Sequence, residues 1–372
     1  MNIYNYVAPC IFGIEGILAD ELRRMGIENV NAENGRVLFS GDTNVMAKAN
    51  INSRFAERIL INVGSFKATT FTELFDNVKS LPLEDFIGLK DAFPVKGWSL
   101  NSQLHSIPDC QSIIKKAIVE RLKLSYKTDW FEETGPVVQI QFSILKDEVT
   151  IMIDTSGFGL HKRGYRRNSN DAPIKETLAA AMCDLARIYP DTVLYDPFCG
   201  SGTILIEAAL MAKKIAPGLR SSFAAERFGF VSPKVWTEER NEAMSKILPT
   251  VDFRAYGYDI DPAAVKLTLE NAEKAGVGKY VSAAVADVKN LKIQEGRTLL
   301  ITNPPYGERL LDVRAAEELY ETMGNVFTKV PQKKYYVISP HDEFEKYFGR
   351  KADKKRKLYN GMIKCNLFMY FK

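Results

Sequence analysis

Val193-Leu194-Tyr195-Asp196-Pro197-Phe198-Cys199-Gly200-Ser201-Gly202-Thr203 decides the fold. The apolar start reads as a buried strand, the two glycines as a tight turn, and Ile204 to Lys213 as a helix. A strand, a glycine turn and a helix N-terminus together make a binding loop of doubly wound α/β folds. The glycines let a ligand approach the backbone. No G-K-[ST] follows, so the loop is not a phosphate cradle. Asp196 favours instead the cationic end of a ligand, such as an amino-acid ammonium or a sulfonium.

Downstream, the same pattern repeats. Arg254 to Tyr258 is a strand that runs into Asp259-Ile260-Asp261-Pro262 and a helix from Ala263 to Lys274. A carboxylate at that tip can accept both hydroxyls of a ribose. Val281 to Ala286 runs into Asp287, which can take an adenine amino hydrogen. Leu299-Leu300-Ile301, preceded by Gly296, ends in Thr302-Asn303-Pro304-Pro305-Tyr306-Gly307. Two prolines there forbid helix and further sheet pairing, so Asn303 and the backbone carbonyls sit on a stiff frame with an aromatic ring beside them. Such acceptors suit methylation of an exocyclic base amine: gripping its N–H hydrogens localises the lone pair and stabilises the arriving charge. Tyr306 would stack on the everted base. Alone, the tetrapeptide also reads as a turn that merely ends a strand. Four strand ends in step, carrying Asp196, Asp259, Asp287 and Asn303, favour a single ligand-binding rim. The chain then closes with a strand (Tyr335 to Ser339), a helix (Glu343 to Phe348) and a hairpin on Asn360-Gly361 between Arg356–Tyr359 and Lys364–Phe371. The basic run from Arg350 to Lys357 is either a solvated edge or part of an RNA surface.

Upstream, residues 1 to about 65 read β-α-β-β-α-β: a strand Tyr4 to Ala8, a helix Gly13 to Met25, a hairpin on Asn34-Gly35, a helix capped by Asp42, and a strand Ile59 to Val63. That order is ferredoxin-like. A second mixed unit follows, with helices Phe71 to Lys79 and Gln111 to Leu124, a strand at Trp98-Ser99-Leu100, and a hairpin of Val137 to Phe142 with Glu148 to Ile153. Lys115, Lys116, Arg121, Lys123 and Lys127 form a solvated face or a phosphate-contacting surface. The run from Gly157 to Arg167 mixes glycines and aromatics with Lys162, Arg163, Arg166, Arg167 and His161, which suits RNA backbone contact or closure over a cofactor. His161 reads as a packing or phosphate contact. An Ala-rich helix from Ala172 to Ile188 carries Pro173 in its first turn.

Bulk composition narrows the class. A 372-residue chain with 46% hydrophobic and 26% charged residues spans two or three globular domains. Lys+Arg 50 against Asp+Glu 46 gives +4, which permits nucleic-acid binding. The five cysteines lack C-x-x-C spacing, which points to a reduced cytoplasm without structural zinc. The sequence predicts no signal peptide, membrane span or metal.

Asp196–Thr203 (DPFCGSGT), Asn303–Leu310 (NPPYGERL) and Gly159–Arg166 (GLHKRGYR) together resemble the THUMP-containing guanine-N2 methyltransferases of large-subunit ribosomal RNA, the RlmL group. The resemblance covers the whole chain. It implies an α/β architecture: a ferredoxin-like domain (1–65), a THUMP RNA-binding domain (66–164) and a Rossmann-like, seven-stranded methyltransferase domain (165–372). It implies S-adenosylmethionine as cofactor, held by Asp196, Pro197, Phe198, Gly200, Ser201, Gly202, Thr203, Asp259, Ile260, Asp287, Val288 and Asn303. Asn303, Pro304, Pro305 and Tyr306 would form the catalytic turn, and Lys162, Arg163, Tyr165, Arg166 and Arg167 would contact RNA. The implied partner is 23S ribosomal RNA or its assembly precursor, met by a monomer. Guanine N2 of transfer RNA, and a silent RNA-binding assembly factor, are the alternatives. Some members of the group carry a second methyltransferase domain, and a chain with one is expected to make one modification.

Overall fold

The computed structural model describes residues 2–166, 174–293, 298–306, 312–328 and 334–371. β1 (Tyr4–Pro9) is followed by helix Glu15–Arg24 and by β2 (Asn31–Glu33) and β3 (Arg36–Gly41). Gly35, at φ 75°, supplies the left-handed residue that this tight hairpin needs. Asp42 caps helix Thr43–Asn52 by accepting from the backbone N–H groups of Asn44 and Val45. β4 (Leu60–Lys67) completes the ferredoxin-like order β2-β3-β1-β4.

Helices Phe71–Ser80 and Ile107–Tyr126 accompany β5 (Val95–Leu100), β6 (Ile140–Leu145) and β7 (Glu148–Asp154). The turn at Lys146-Asp147 is where the sequence places it, with φ 53° and 66°. β6 begins later than expected, because Val137 makes only an isolated bridge to Ala92. β4 and β7 pair antiparallel, from Leu60 opposite Asp154 to Lys67 opposite Glu148. The two N-terminal units therefore share one seven-stranded sheet, β2-β3-β1-β4-β7-β6-β5.

The second sheet uses β8 (Val193–Asp196), β9 (Arg254–Asp259), β10 (Val281–Val285), β11 (Thr298–Thr302), β12 (Lys334–Ser339), β13 (Lys354–Asn360) and β14 (Ile363–Tyr370). Its order is β10-β9-β8-β11-β12-β14-β13. The first five are parallel, and β14 is antiparallel to both neighbours. The chain winds outward from β8 to β10 and then jumps back to β11. β8 and β11 thus flank the switch point where such sheets open a crevice.

Helix Glu176–Ala186 is shorter than the expected 172–188, and Pro173 lies outside the described residues. It packs against helix Thr203–Ala212. The small alanines on Glu176–Ala186 let the two backbones approach closely. The opposite face of the sheet buries Tyr320, Phe327, Phe344, Phe348, Phe368 and Tyr370. All five cysteines are buried.

The N-terminal unit is docked by directed bonds. The Arg54 guanidinium donates to the Ile215 carbonyl at 2.7 Å, the Gly218 N–H to the Ile51 carbonyl at 2.9 Å, and Arg356 Nε to the Gly13 carbonyl at 2.8 Å. Among the described residues no helix is long and apolar enough to cross a membrane.

Candidate active site

β8 delivers Asp196 to the switch point, where it is 1% exposed. Its Oδ1 accepts from Thr302 Oγ1 at 2.6 Å and from the Phe198 N–H at 3.2 Å. Burial pushes its carboxyl up to about 7, the nearby Asp259 adds to the rise, and the two hydrogen bonds oppose it.

The turn that follows is built on left-handed glycines, Gly200 at φ 54° and Gly202 at φ 78°. A Cβ on Gly202 would lie 2.8 Å from Thr268 Cγ2, so the turn can close on helix Pro262–Ala275 only without a side chain there. That helix also grips the loop. Thr268 Oγ1 donates to the Gly200 carbonyl at 2.9 Å, and Asn271 Nδ2 to the Ser201 carbonyl at 3.0 Å. From β9, Asp259 accepts from the N–H of Gly200 and of Asp261, each at 3.0 Å. After β10, Asp287 accepts from the Lys289 N–H at 2.9 Å, which fixes its carboxylate at the rim.

β11 ends in Thr302 and Asn303. Asn303 Oδ1 is buried and has no hydrogen-bond partner among the described residues. A buried amide oxygen left without a donor costs free energy unless a ligand supplies one. Tyr306 is 6% exposed, and its hydroxyl accepts from Asn360 Nδ2 at 2.8 Å. The ring is part of the cavity wall, beside the acceptors where the sequence places it. Gly307 to Leu310 lie outside the described residues.

These strand ends meet in one cavity of about 810 Å³. Asp196, Pro197, Phe198, Gly200, Ser201, Thr203, Asp259, Ile260, Asp287, Val288, Asn303, Pro304, Pro305 and Tyr306 all line it. The volume suits a drug-sized ligand or a cofactor. Gly202 does not line it; its contribution is the close approach to Thr268. Ile174, Cys199, Ile204, Asp261, Ala264 and Lys289 complete the wall with one face of helix Val313–Phe327: Ala315, Glu318, Leu319 and Thr322. No sequence expectation covers that helix, although Ala316, Tyr320, Met323 and Phe327 recur at helical spacing behind the Asp312 cap. Burial holds the Cys199 thiol well above its usual range, so it stays protonated and is no nucleophile.

The loop after β7 departs from expectation. Arg163 has its side chain 3% exposed, 3.6 Å from Glu207, and donates to the carbonyls of Arg54 and Leu160. The Tyr165 hydroxyl donates to Glu207 Oε1 at 3.1 Å. Arg166 pairs with Glu176 at 2.9 Å and reaches the Ile174 carbonyl and Thr203 Oγ1. Arg163, Tyr165 and Arg166 are therefore internal ties, their polar groups turned to the buried carboxylates Glu207 and Glu176 and to backbone carbonyls rather than to solvent. His161 Nδ1 sits 3.0 Å from Glu57 Oε2, a polar contact within the protein. Lys162 is exposed, and Arg167 lies outside the described residues. The basic helix Ile107–Tyr126 is likewise largely spoken for, with Lys115 on Glu133, Arg121 on Glu84 and Lys123 on Glu120. Among the described residues no group of side chains could hold a metal ion.

Comparison with known proteins agrees with this geometry. Residues 5–60 match the RlmL ferredoxin-like domain, 68–154 the THUMP domain and 163–368 the RMKL-like methyltransferase domain. YpsC of Bacillus subtilis, provisionally named an RNA methyltransferase, is 43% identical over 373 residues, covering 100% of this chain and 97% of that protein. Ribosomal RNA large subunit methyltransferase K/L of Psychromonas ingrahamii is 33% identical over 374 residues, 98% of this chain but 50% of that protein. The chain thus spans about half the length of the K/L relatives. A structure of SMU.472, described as a methyltransferase complexed with SAH, superposes with a TM-score of 0.94 at 41% identity, covering 100% of this chain and 98% of that one. The protein belongs to the RMKL-like methyltransferase family, in the form with RlmL-type ferredoxin-like and THUMP domains ahead of the catalytic one, and its cofactor is S-adenosylmethionine.

Proposed function

We propose that this protein methylates the exocyclic N2 of a guanosine in large-subunit ribosomal RNA. The observation that carries the reading is the buried, unpartnered Oδ1 of Asn303 on its proline frame, at the edge of the cavity that Asp196, Asp259 and Asp287 also line. The names of the K/L relatives and the THUMP match support RNA, and ribosomal RNA in particular, as the substrate. We divide the chain into an RNA-recruiting part, residues 1–164, and a catalytic part, residues 165–372, acting in the cytoplasm.

The donor set fits the cofactor. Asp196 would take its cationic amino-acid end, Asp259 its ribose hydroxyls, and Asp287 beside Val288 its adenine amine. Bound there, S-adenosylmethionine supplies an electrophilic methyl group on a sulfonium. The chain's own work is to prepare the nucleophile. Asn303 Oδ1 and the Pro304 carbonyl accept the two N–H hydrogens of the guanine amine, drawing the nitrogen out of conjugation with the ring. Both acceptors stabilise the positive charge that develops as the N–C bond forms. The nitrogen then loses a proton to water. Pro304 and Pro305 hold the acceptors still, so little reorganisation accompanies the step.

The test is transfer of tritiated methyl from S-adenosylmethionine to RNA from cells lacking the gene, with nucleosides resolved by mass. Label is expected in N2-methylguanosine of 23S RNA. Label confined to transfer RNA, to methylated adenosine, or to no RNA overturns the assignment. Asn303→Ala should lower turnover by roughly 100- to 1000-fold, the usual loss for one preorganised acceptor or donor. Its affinity for S-adenosylmethionine should stay within a few fold.

A further inference from the structure

We propose that the exposed side of the β13–β14 hairpin, together with Phe12 of the N-terminal domain, carries the RNA strand that flanks the target nucleotide. The proposal rests on the methyltransferase reading and adds where the substrate lies. β14 is antiparallel to both β12 and β13, so β13 runs in the same sense as β11 and ends on the same rim. Asn360, its last residue, reaches Tyr306 of the catalytic turn at 2.8 Å. The hairpin tip beyond Asn360 consequently stands at the wall where the base amine is held.

The side chains around that tip have a common chemistry. Met362 is 95% exposed, the most exposed large apolar side chain among the described residues. Tyr359 lies opposite Lys364 on the neighbouring strand, and Lys357 Nζ sits 5.4 Å from the centre of its ring. Phe12 meets Tyr359 edge-on at 6.0 Å and is 55% exposed. Lys357 and Lys364 are exposed and make no ion pair with any described residue, whereas Lys355, two positions before Lys357 on the strand, is paired with Glu345 at 2.8 Å. The seam is rigid: Arg356 holds the Gly13 carbonyl, and a Cβ on Gly13 would collide with the Lys357 carbonyl.

Aromatic rings set among unpaired lysines suit a single-stranded nucleic acid, whose bases stack while its phosphates meet the cations. A protein partner fits less well, because lysine is depleted in protein interfaces. The patch is also continuous with the reacting centre through Asn360, as a flanking strand requires.

The test compares full-length wild type with the double variant Lys357→Glu/Lys364→Glu. The control is Lys274→Glu/Lys279→Glu at the opposite edge of the sheet, which changes net charge equally. The probe is deproteinised 23S RNA from cells lacking the gene. Losing two phosphate contacts should flatten the slope of log affinity against log salt by about 1.4, at about 0.7 per contact on a single strand. The control should keep the wild-type slope, and all three proteins should bind S-adenosylmethionine alike. An unchanged slope in the hairpin variant overturns the surface. So does a wild-type dimer in sedimentation that the hairpin charges dissociate, since the patch would then be a protein interface. Because the readout is binding, it separates from methyl transfer. A wild type that binds through the hairpin yet methylates no RNA sinks the catalytic reading alone.

Discussion

Asp196 sits where a charge is costly, and its titration is open to measurement. Its carboxyl keeps a proton up to about 7 in the fold against an ordinary 3.8, chiefly through burial. Over that interval the folded chain binds a proton that the unfolded chain lacks. The stability this gives is complete below about pH 3.8 and is lost as pH rises to about 7. A cationic ligand end reverses the preference, since it needs the carboxylate. Affinity for S-adenosylmethionine should therefore climb with pH, by up to about tenfold per unit below the carboxyl's midpoint, and level off above it. Calorimetry at ~pH 6 and ~pH 8 reads this directly, and Asp196→Asn should flatten the profile. A flat wild-type profile would remove Asp196 from the cofactor site. The identities of Asp196, Asp259, Asp287 and Asn303 were legible because each ends an apolar run, a local signal. The bond from Thr302 that steadies Asp196 was not, because it depends on β8 and β11 becoming neighbours 106 positions apart.

Elements were legible where the chain punctuates itself. Asn34-Gly35, the Asp42 cap, Lys146-Asp147 and Asn360-Gly361 each fall at a turn or helix start. Helix Pro233–Ser245, which packs on Thr43–Asn52, went unread: its polar composition leaves few apolar positions, with only Val235, Trp236, Glu239 and Ala243 buried. The β13–β14 hairpin was legible as a shape but not as a tool, since a turn asparagine gives no sign of where its side chain will point. Here it holds Tyr306. One neutral hydrogen bond is worth about 1 kcal/mol, so Asn360→Ala should slow methyl transfer roughly fivefold with cofactor affinity unchanged. Tyr306→Phe removes the same bond from its other end. Turnover of the double variant should fall no further than that of the worse single one, whereas independent residues would multiply their losses. Multiplying losses would show that the hairpin does not position Tyr306.

At the scale of the whole molecule, the N-terminal sheet and the methyltransferase domain are joined by a buried polar cluster. Glu21 and Arg54 come from the first domain, Arg163, Tyr165 and Arg166 from the connecting loop, and Glu176 and Glu207 from two catalytic-domain helices. Read along the chain, Gly159–Arg166 has the composition of a phosphate-binding loop. Cations aimed at a phosphate and cations aimed at a buried carboxylate look alike until the partner's position is known, and Glu207 lies far along the sequence. The two roles separate under mutation. Glu207 is 0% exposed, so Arg163→Ala leaves a buried carboxylate short of its cation and the Arg54 and Leu160 carbonyls short of a donor. Breaking a buried pair from one side costs roughly 3–5 kcal/mol. With Arg54 still nearby, about 3 kcal/mol is expected, read as a lower urea midpoint at unchanged slope. Arg163→Met with Glu207→Leu should recover only part of that loss: the stranded carboxylate is gone, but Arg54 also loses Glu207 and the Arg54 and Leu160 carbonyls still lack a donor. RNA affinity of Arg163→Ala, measured where it is folded, should match wild type. Weakened RNA binding at unchanged stability would return Arg163 to the substrate surface and leave the domains held by the Arg54, Gly218 and Arg356 bonds.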